Sequence, residues 1–204
     1  SRADCDWKTD ADASAPGVFG PAASPHLFRT DYVTQSNDSY WLTNPAQPLT
    51  GYSPIWGDEA TTRSLRTRLG LIQVADRVAG TDGLGEPKFD IGTLQKVMYG
   101  NRNYGAELVR QDLSKICMPS ARPNIPAACK AMTEWDGKVD LDSRGAHLFH
   151  LFAENGGLKF KVAFDPKNPV TTPNTLDTSD PKVVEAFAKA VDKLTELEIP
   201  ANAR

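Results

Sequence analysis

The sequence predicts an α+β fold that is mainly helical, with a few short strands near residues 27–45. Two patterns predict it. Apolar residues recur at helical spacing through much of the chain after residue 58, and β-branched and aromatic residues concentrate between residues 27 and 42. A third, the placement of proline and glycine, separates these segments. The expected division is an irregular lead-in with short strands over residues 1–57 and a helical subdomain over residues 58–204.

Taken in order, the first 25 residues are rich in Ala, Asp, Pro, Ser and Gly and read as a surface lead-in, with Trp7 and Phe19 as anchors. Prolines 45, 48 and 54 keep the stretch after the strands extended. Asp58 is expected to cap a helix carrying Leu65, Leu69, Ile72, Ala75 and Val78 up to Gly80. Asp90 or Thr93 starts a short helix through Leu94, Val97 and Met98. A further helix runs from about Tyr104 to Ile116 on Leu108, Val109, Leu113 and Ile116. Pro126 opens another that reaches Trp135, since proline suits a first helical turn. Residues 143–153 form a helix with Leu148, Leu151 and Phe152 on one face, stopped by Asn155-Gly156-Gly157. Asp180-Pro181 begins the last, with a stripe of Val184, Phe187, Val191 and Leu194. Residues 159–173 between them read as extended.

Composition excludes several functions. A net charge of −3 and scattered basic residues argue against a nucleic-acid partner. No apolar run is long enough to span a membrane, and mean hydropathy is −0.43. The three cysteines are an odd number. Cys117 and Cys129 flank a Pro/Ser/Asn loop between two helical segments, so a disulfide would close a short loop; two free thiols are the alternative. Cys5 is left over, which in an oxidising compartment implies a partner elsewhere or a free thiol.

One turn stands out. In Ser36-Asn37-Asp38-Ser39 all four side chains can hydrogen-bond nearby backbone, and Tyr40-Trp41-Leu42 anchors the segment behind them. Such a turn is a rigid mount for a side-chain amide. The run from Arg29 to Pro45, followed by Pro48-Leu49-Thr50-Gly51-Tyr52-Ser53-Pro54, resembles the β-chain of the penicillin acylase family of N-terminal-nucleophile amidohydrolases. The likeness is nearer to the branch of acyl-homoserine-lactone and aculeacin acylases. It covers nearly the whole chain. It is sharpest over residues 27–71, moderate over 90–142, where Glu134-Trp135-Asp136 and Leu141-Asp142-Ser143 echo the family, and weak beyond.

The resemblance implies that this is part of an αββα N-terminal-nucleophile β-chain from a secreted or periplasmic acylase. The parent would cleave the amide between an acyl group and a polar amine, as in acyl-homoserine lactones, lipopeptide antibiotics or penicillins. It implies that Asn37 supplies a side-chain N–H to the oxyanion hole; the residues alone also allow Asn37 merely to hold its turn. Arg63 falls near a supporting arginine of the family, with Arg66 and Arg68 competing for that place, and a solvated arginine face as the plain alternative. The family's cysteines match Cys117 and Cys129, and another lies just upstream of the position matching Cys5. Ser1 is not the expected nucleophile, because Arg2-Ala3-Asp4-Cys5-Asp6-Trp7 lacks the apolar strand that follows it in the family. Both ends therefore look like cuts within a longer β-chain. The nucleophile would lie upstream, and the chain alone would be inactive.

The expected partners are the remaining α- and β-chain segments and an acyl-amide substrate, with no nucleic acid and no membrane. No cofactor is expected. Some penicillin acylases bind calcium, but residues 45–50 contain no Asp or Glu, so no calcium ligand is expected there. His147, His150 and Glu154 share a helix without the glutamate of a zinc-hydrolase signature, and His26 is isolated; packing or surface roles are expected for all three histidines. A different class of function, a non-catalytic helical module shaping an acyl pocket or a subunit contact, fits the same composition.

Overall fold

A computed structural model describes residues 9–117 and 123–204. It is mainly helical with two short antiparallel strands, an α+β arrangement. The chain divides into two compact units, residues 1–72 and 73–204.

In the first unit irregular backbone is held by side chains. Asp10 accepts the Gly20 amide at 2.9 Å and Asp12 accepts the Ala22 amide at 2.8 Å. Phe19 meets Trp56 with ring centroids 5.6 Å apart, while Trp7 and Cys5 lie outside the described residues. The strands expected near residues 27–45 are not formed. An extended segment becomes a strand only when a neighbour takes up its ladder. Here Thr34 N bonds Thr43 O at 2.9 Å and Leu49 N bonds Trp41 O at 3.0 Å, isolated backbone bonds that build no ladder. The aromatic run instead folds as a short 3-10 turn, Tyr40–Leu42, all three residues buried. Asn44, fully buried, replaces sheet pairing: its Nδ2 donates to Tyr32 O at 3.0 Å and its Oδ1 accepts Ala46 N at 2.9 Å. A second 3-10 turn spans Pro54–Trp56.

Helix α1 is Leu65–Ala79. Asp58 does not cap it. Ser64 does, with its Oγ accepting the Thr67 amide at 3.1 Å and its carbonyl accepting the Arg68 amide at 3.0 Å.

The second unit holds the main core. Helix α2 (Ile91–Met98) starts at Asp90 with a capping box closed by Thr93. Helix α3 (Tyr104–Ile116) is capped by Asn103, and α4 spans Ile125–Glu134. Helix α5 (Ala146–Glu154) begins three residues later than its sequence pattern, because Ser143 Oγ is committed to Asp136 at 3.0 Å and Gly145 turns the chain at φ 102°. Strands β1 (Phe160–Val162) and β2 (Asn174–Leu176) pair Phe160 with Leu176 and Val162 with Asn174. Helix α6 (Pro181–Glu196) is capped by Asp180.

The apolar stripes of α3, α4, α5 and α6 meet in one cluster that includes Leu113, Met132, Trp135, Leu148, Phe152 and Phe187. Trp135 and Phe149 centroids are 5.1 Å apart, and Phe152 meets Phe187 edge-on at 6.1 Å. Cys117 and Cys129 are joined, tying the end of α3 to α4. Among the described residues no helix is long and apolar enough to cross a membrane.

Candidate functional site

The turn at residues 36–39 is built by side-chain oxygens that accept nearby backbone amides. Gln35 Oε1 accepts the Asp38 amide at 3.1 Å, Asp38 Oδ1 the Ser39 amide at 2.8 Å, and Ser39 Oγ the Trp41 amide at 3.2 Å. The last of these caps the Tyr40–Leu42 turn. Asn37 sits at φ 54°, the left-handed region that asparagine tolerates better than most residues.

Among the described residues, Asn37 makes no bond from its side-chain amide to the backbone of its own turn. Its Oδ1 accepts from Arg66 at 3.4 Å, and its Nδ2 donates to none of the described residues. Arg66 also donates to the Ser36 carbonyl. The exposed amide therefore has its oxygen engaged and its N–H groups without a partner among the described residues.

Arg63 is 5 % exposed. It donates through Nε to Thr61 O at 3.0 Å, through one terminal nitrogen to Asp38 Oδ1 at 2.7 Å, and through the other to Thr61 Oγ1. Its guanidinium lies 5.6 Å from the Trp41 ring centroid, within cation–π range. Arg68 is buried as well, so the plain alternative of an arginine-lined solvated face fails for two of the three. Asp38 takes Thr67 Oγ1 at 2.6 Å on its other oxygen. Partial burial opposes its ionisation, yet the Thr67 hydroxyl, the Ser39 amide and the Arg63 charge together hold its carboxyl below the ordinary carboxylate value.

Behind the turn, Glu59 gathers the next segment. Its carboxylate accepts the Tyr40 hydroxyl, the Gly51 amide at 3.0 Å and the Tyr52 amide at 3.0 Å. These bonds, led by that to Tyr40, hold Glu59 low; burial and Glu59 push the Tyr40 hydroxyl up to about 12. Gly57 then passes close against the turn, at φ 139°. A β-carbon there would stand 2.8 Å from Ser39 Oγ and 3.1 Å from Ser39 Cα, so only glycine fits. Asn37, Asp38, Ser39, Trp56, Thr61 and Arg63 line one open concavity of about 720 Å³.

The structure thus brings Asn37 and Arg63 to one surface with Asp38 between them. Asp38, Thr67 and Glu59 were not legible as site residues, because their partners lie up to 29 positions away. The one local signal was Ser64 followed by Thr67, a cap pattern just before the apolar run. The histidines have local partners of their own: His26 Nδ1 is 3.0 Å from Ser24 O, His147 Nε2 is 3.1 Å from Pro200 O, and exposed His150 pairs with Glu154.

A preset, uncharged N–H donor on a locked turn is the equipment by which acyl-transfer enzymes receive the negative charge of a tetrahedral intermediate. The sequence model of the penicillin amidase family matches residues 1–204, and the chain belongs to that family. It is 50% identical over 199 residues to the aculeacin-A acylase of Actinoplanes utahensis, covering 93% of this chain and 25% of the relative. It is 38% identical over 181 residues to the acyl-homoserine lactone acylase PvdQ of Pseudomonas putida, covering 86% and 22%. The PvdQ of Pseudomonas syringae pv. syringae is 32% identical over 215 residues, covering 100% and 27%. The chain spans about a quarter of the length of these curated relatives.

Proposed function

We propose that this chain is the part of an acylase β-chain, of αββα N-terminal-nucleophile type, that carries the side-chain half of the oxyanion hole. The parent hydrolyses the amide between an acyl group and a polar amine, such as an acyl-homoserine lactone, an aculeacin-type lipopeptide or a penicillin. An N-terminal serine outside this chain attacks the amide carbon, its α-amino group taking the hydroxyl proton. The carbonyl oxygen becomes an oxyanion, which Asn37 Nδ2 receives. The proton passes to the leaving amine, and water repeats the attack on the acyl-serine. Arg63 supports the turn through Asp38 rather than touching substrate.

The observation that carries this reading is that Asn37 Nδ2 has no partner among the described residues, while its Oδ1 is held by Arg66 and its φ is 54°. Removing one such donor costs about 10²–10³ in kcat, about 2.7–4 kcal/mol. The test is Asn37→Ala in the intact gene product, assayed for amide hydrolysis. A loss of that size supports the reading, and unchanged kcat overturns it. The chain by itself lacks the attacking serine and is expected to be inactive; amide hydrolysis by the purified chain that disappears in Asn37→Ala would refute that.

Residues 73–204 carry a second reading. They close their own core and disulfide and contribute none of the candidate catalytic residues, which favours a structural module that shapes an acyl pocket or a chain contact. The disulfide fits a secreted or periplasmic location.

A further inference from the structure

Asp38 is the point at which the turn, the buried arginine and the first turn of α1 close on one another. Its two oxygens take four donors. Oδ1 accepts Arg63 at 2.7 Å and the Ser39 amide at 2.8 Å, and Oδ2 accepts Thr67 Oγ1 at 2.6 Å and the Ser64 amide at 3.5 Å. Arg66, on the same first turn of α1, holds Ser36 O and Asn37 Oδ1. The left-handed residue is therefore clamped on both flanks by a single helix end: Arg66 grips residues 36–37 and the Ser64–Thr67 pair grips residue 38.

We propose that Asp38 is the positioning residue for Asn37 in amide hydrolysis, a proposal that rests on the oxyanion role given to Asn37 above. Two physical points carry it. The first is geometric. Asn37 keeps its backbone in a sparsely populated region only while both neighbouring peptides are fixed, and Asp38 fixes one of them to α1. The second is electrostatic. An unpaired carboxylate one residue from an oxyanion donor would repel the developing negative charge. Pairing with buried Arg63 offsets that charge, and the Thr67 hydroxyl bond retains the clamp. With its oxygens committed to internal donors, Asp38 acts as neither base nor nucleophile; it acts through Asn37.

The experiment uses the processed full-length acylase, with kcat and KM measured on fatty-acyl and phenylacetyl p-nitroanilides and normalised to processed enzyme counted by mass spectrometry of the new N-terminus. Asp38→Asn keeps the shape but loses the charge that holds Arg63 and Thr67. It is expected to lower kcat about 10²-fold, the loss typical of a roughly 1 Å misplacement, with KM within about twofold. Thr67→Val is expected to lower kcat about tenfold, and Thr67→Ser, which restores the hydroxyl, to recover it. Asn37→Ala combined with Asp38→Asn should lose no more than Asn37→Ala alone.

Asp38→Asn at wild-type kcat, while Asn37→Ala loses activity, overturns the positioning role and leaves the proposed function standing. Asn37→Ala at wild-type kcat overturns the proposed function itself. Should Asp38→Asn fail to fold, the Thr67 pair decides: Thr67→Val at wild-type kcat overturns the proposal, and a loss recovered by Thr67→Ser supports it.

Discussion

Arg63→Lys separates charge from geometry at the turn. Arginine at this position uses three separate nitrogens at once, toward Thr61 O, Asp38 and Thr61 Oγ1, and lays its plane near Trp41. Lysine keeps the charge but offers one compact ammonium, so it can satisfy Asp38 or Thr61 but not the whole fork. Each forfeited bond from the charged guanidinium is worth about 1.5–3 kcal/mol net. Thr61 is exposed and recovers water, which limits the penalty. The expected cost is about 1–3 kcal/mol, compared with about 3 kcal/mol or more for Arg63→Ala, which strands the Asp38 charge. Asp38's side chain is 22 % exposed, so that second figure stays at the lower end of the range for buried pairs. Native-state hydrogen exchange at the Arg68 amide, which donates to Ser64 O, reads the opening of this helix end directly. Arg63→Lys should speed its exchange about 5–150-fold, the rate equivalent of that energy. Exchange within about twofold of wild type would refute the fork as the element that locks the turn.

Two further outcomes follow from the same structure. Asp38 and Glu59 are held below their ordinary carboxylate values, so their stabilisation is complete at neutral pH and is lost as pH falls through their folded-state values; Tyr40 is raised from 10.0 to about 12, so its share is present below pH 10 and is lost as pH rises toward 12. Exchange protection in residues 36–71 followed from acid to alkali should therefore fall at both ends, and Tyr40→Phe should remove the alkaline fall. Opening the Cys117–Cys129 bridge, 12 residues apart in sequence, should lower the stability of the second unit by about 3 kcal/mol on loop-closure grounds, measured as a drop in its urea midpoint under reducing conditions.

Sequence periodicity located the helices because their apolar stripes are local in sequence, and several also start at a side-chain cap. Asn103 and Asp180 cap α3 and α6, and Leu113 and Phe187 lie on their buried faces. The strands were misplaced for the opposite reason. Residues 27–42 have strand-forming composition but satisfy their backbone through Asn44, Thr34 and Ser39, whereas β1 and β2 form in a Pro-rich stretch because Phe160 and Leu176 find each other across a long loop. Pairing of that kind leaves little trace in local composition. At the site, family likeness marked Asn37 and Arg63, but nothing local marked Asp38 as their link, since Thr67 lies 29 residues from it.

The backbone angle at Asn37 restricts which chemistry the position can evolve. Glutamine carries the same amide on a longer arm and would look like a conservative exchange in a mutational library. At φ 54° glutamine is less well tolerated than asparagine, and its extra carbon carries the amide further from the turn. Glycine, the easiest occupant of the angle, has no amide to offer. The backbone angle and the donor role proposed for Asn37 thus select the same amino acid independently.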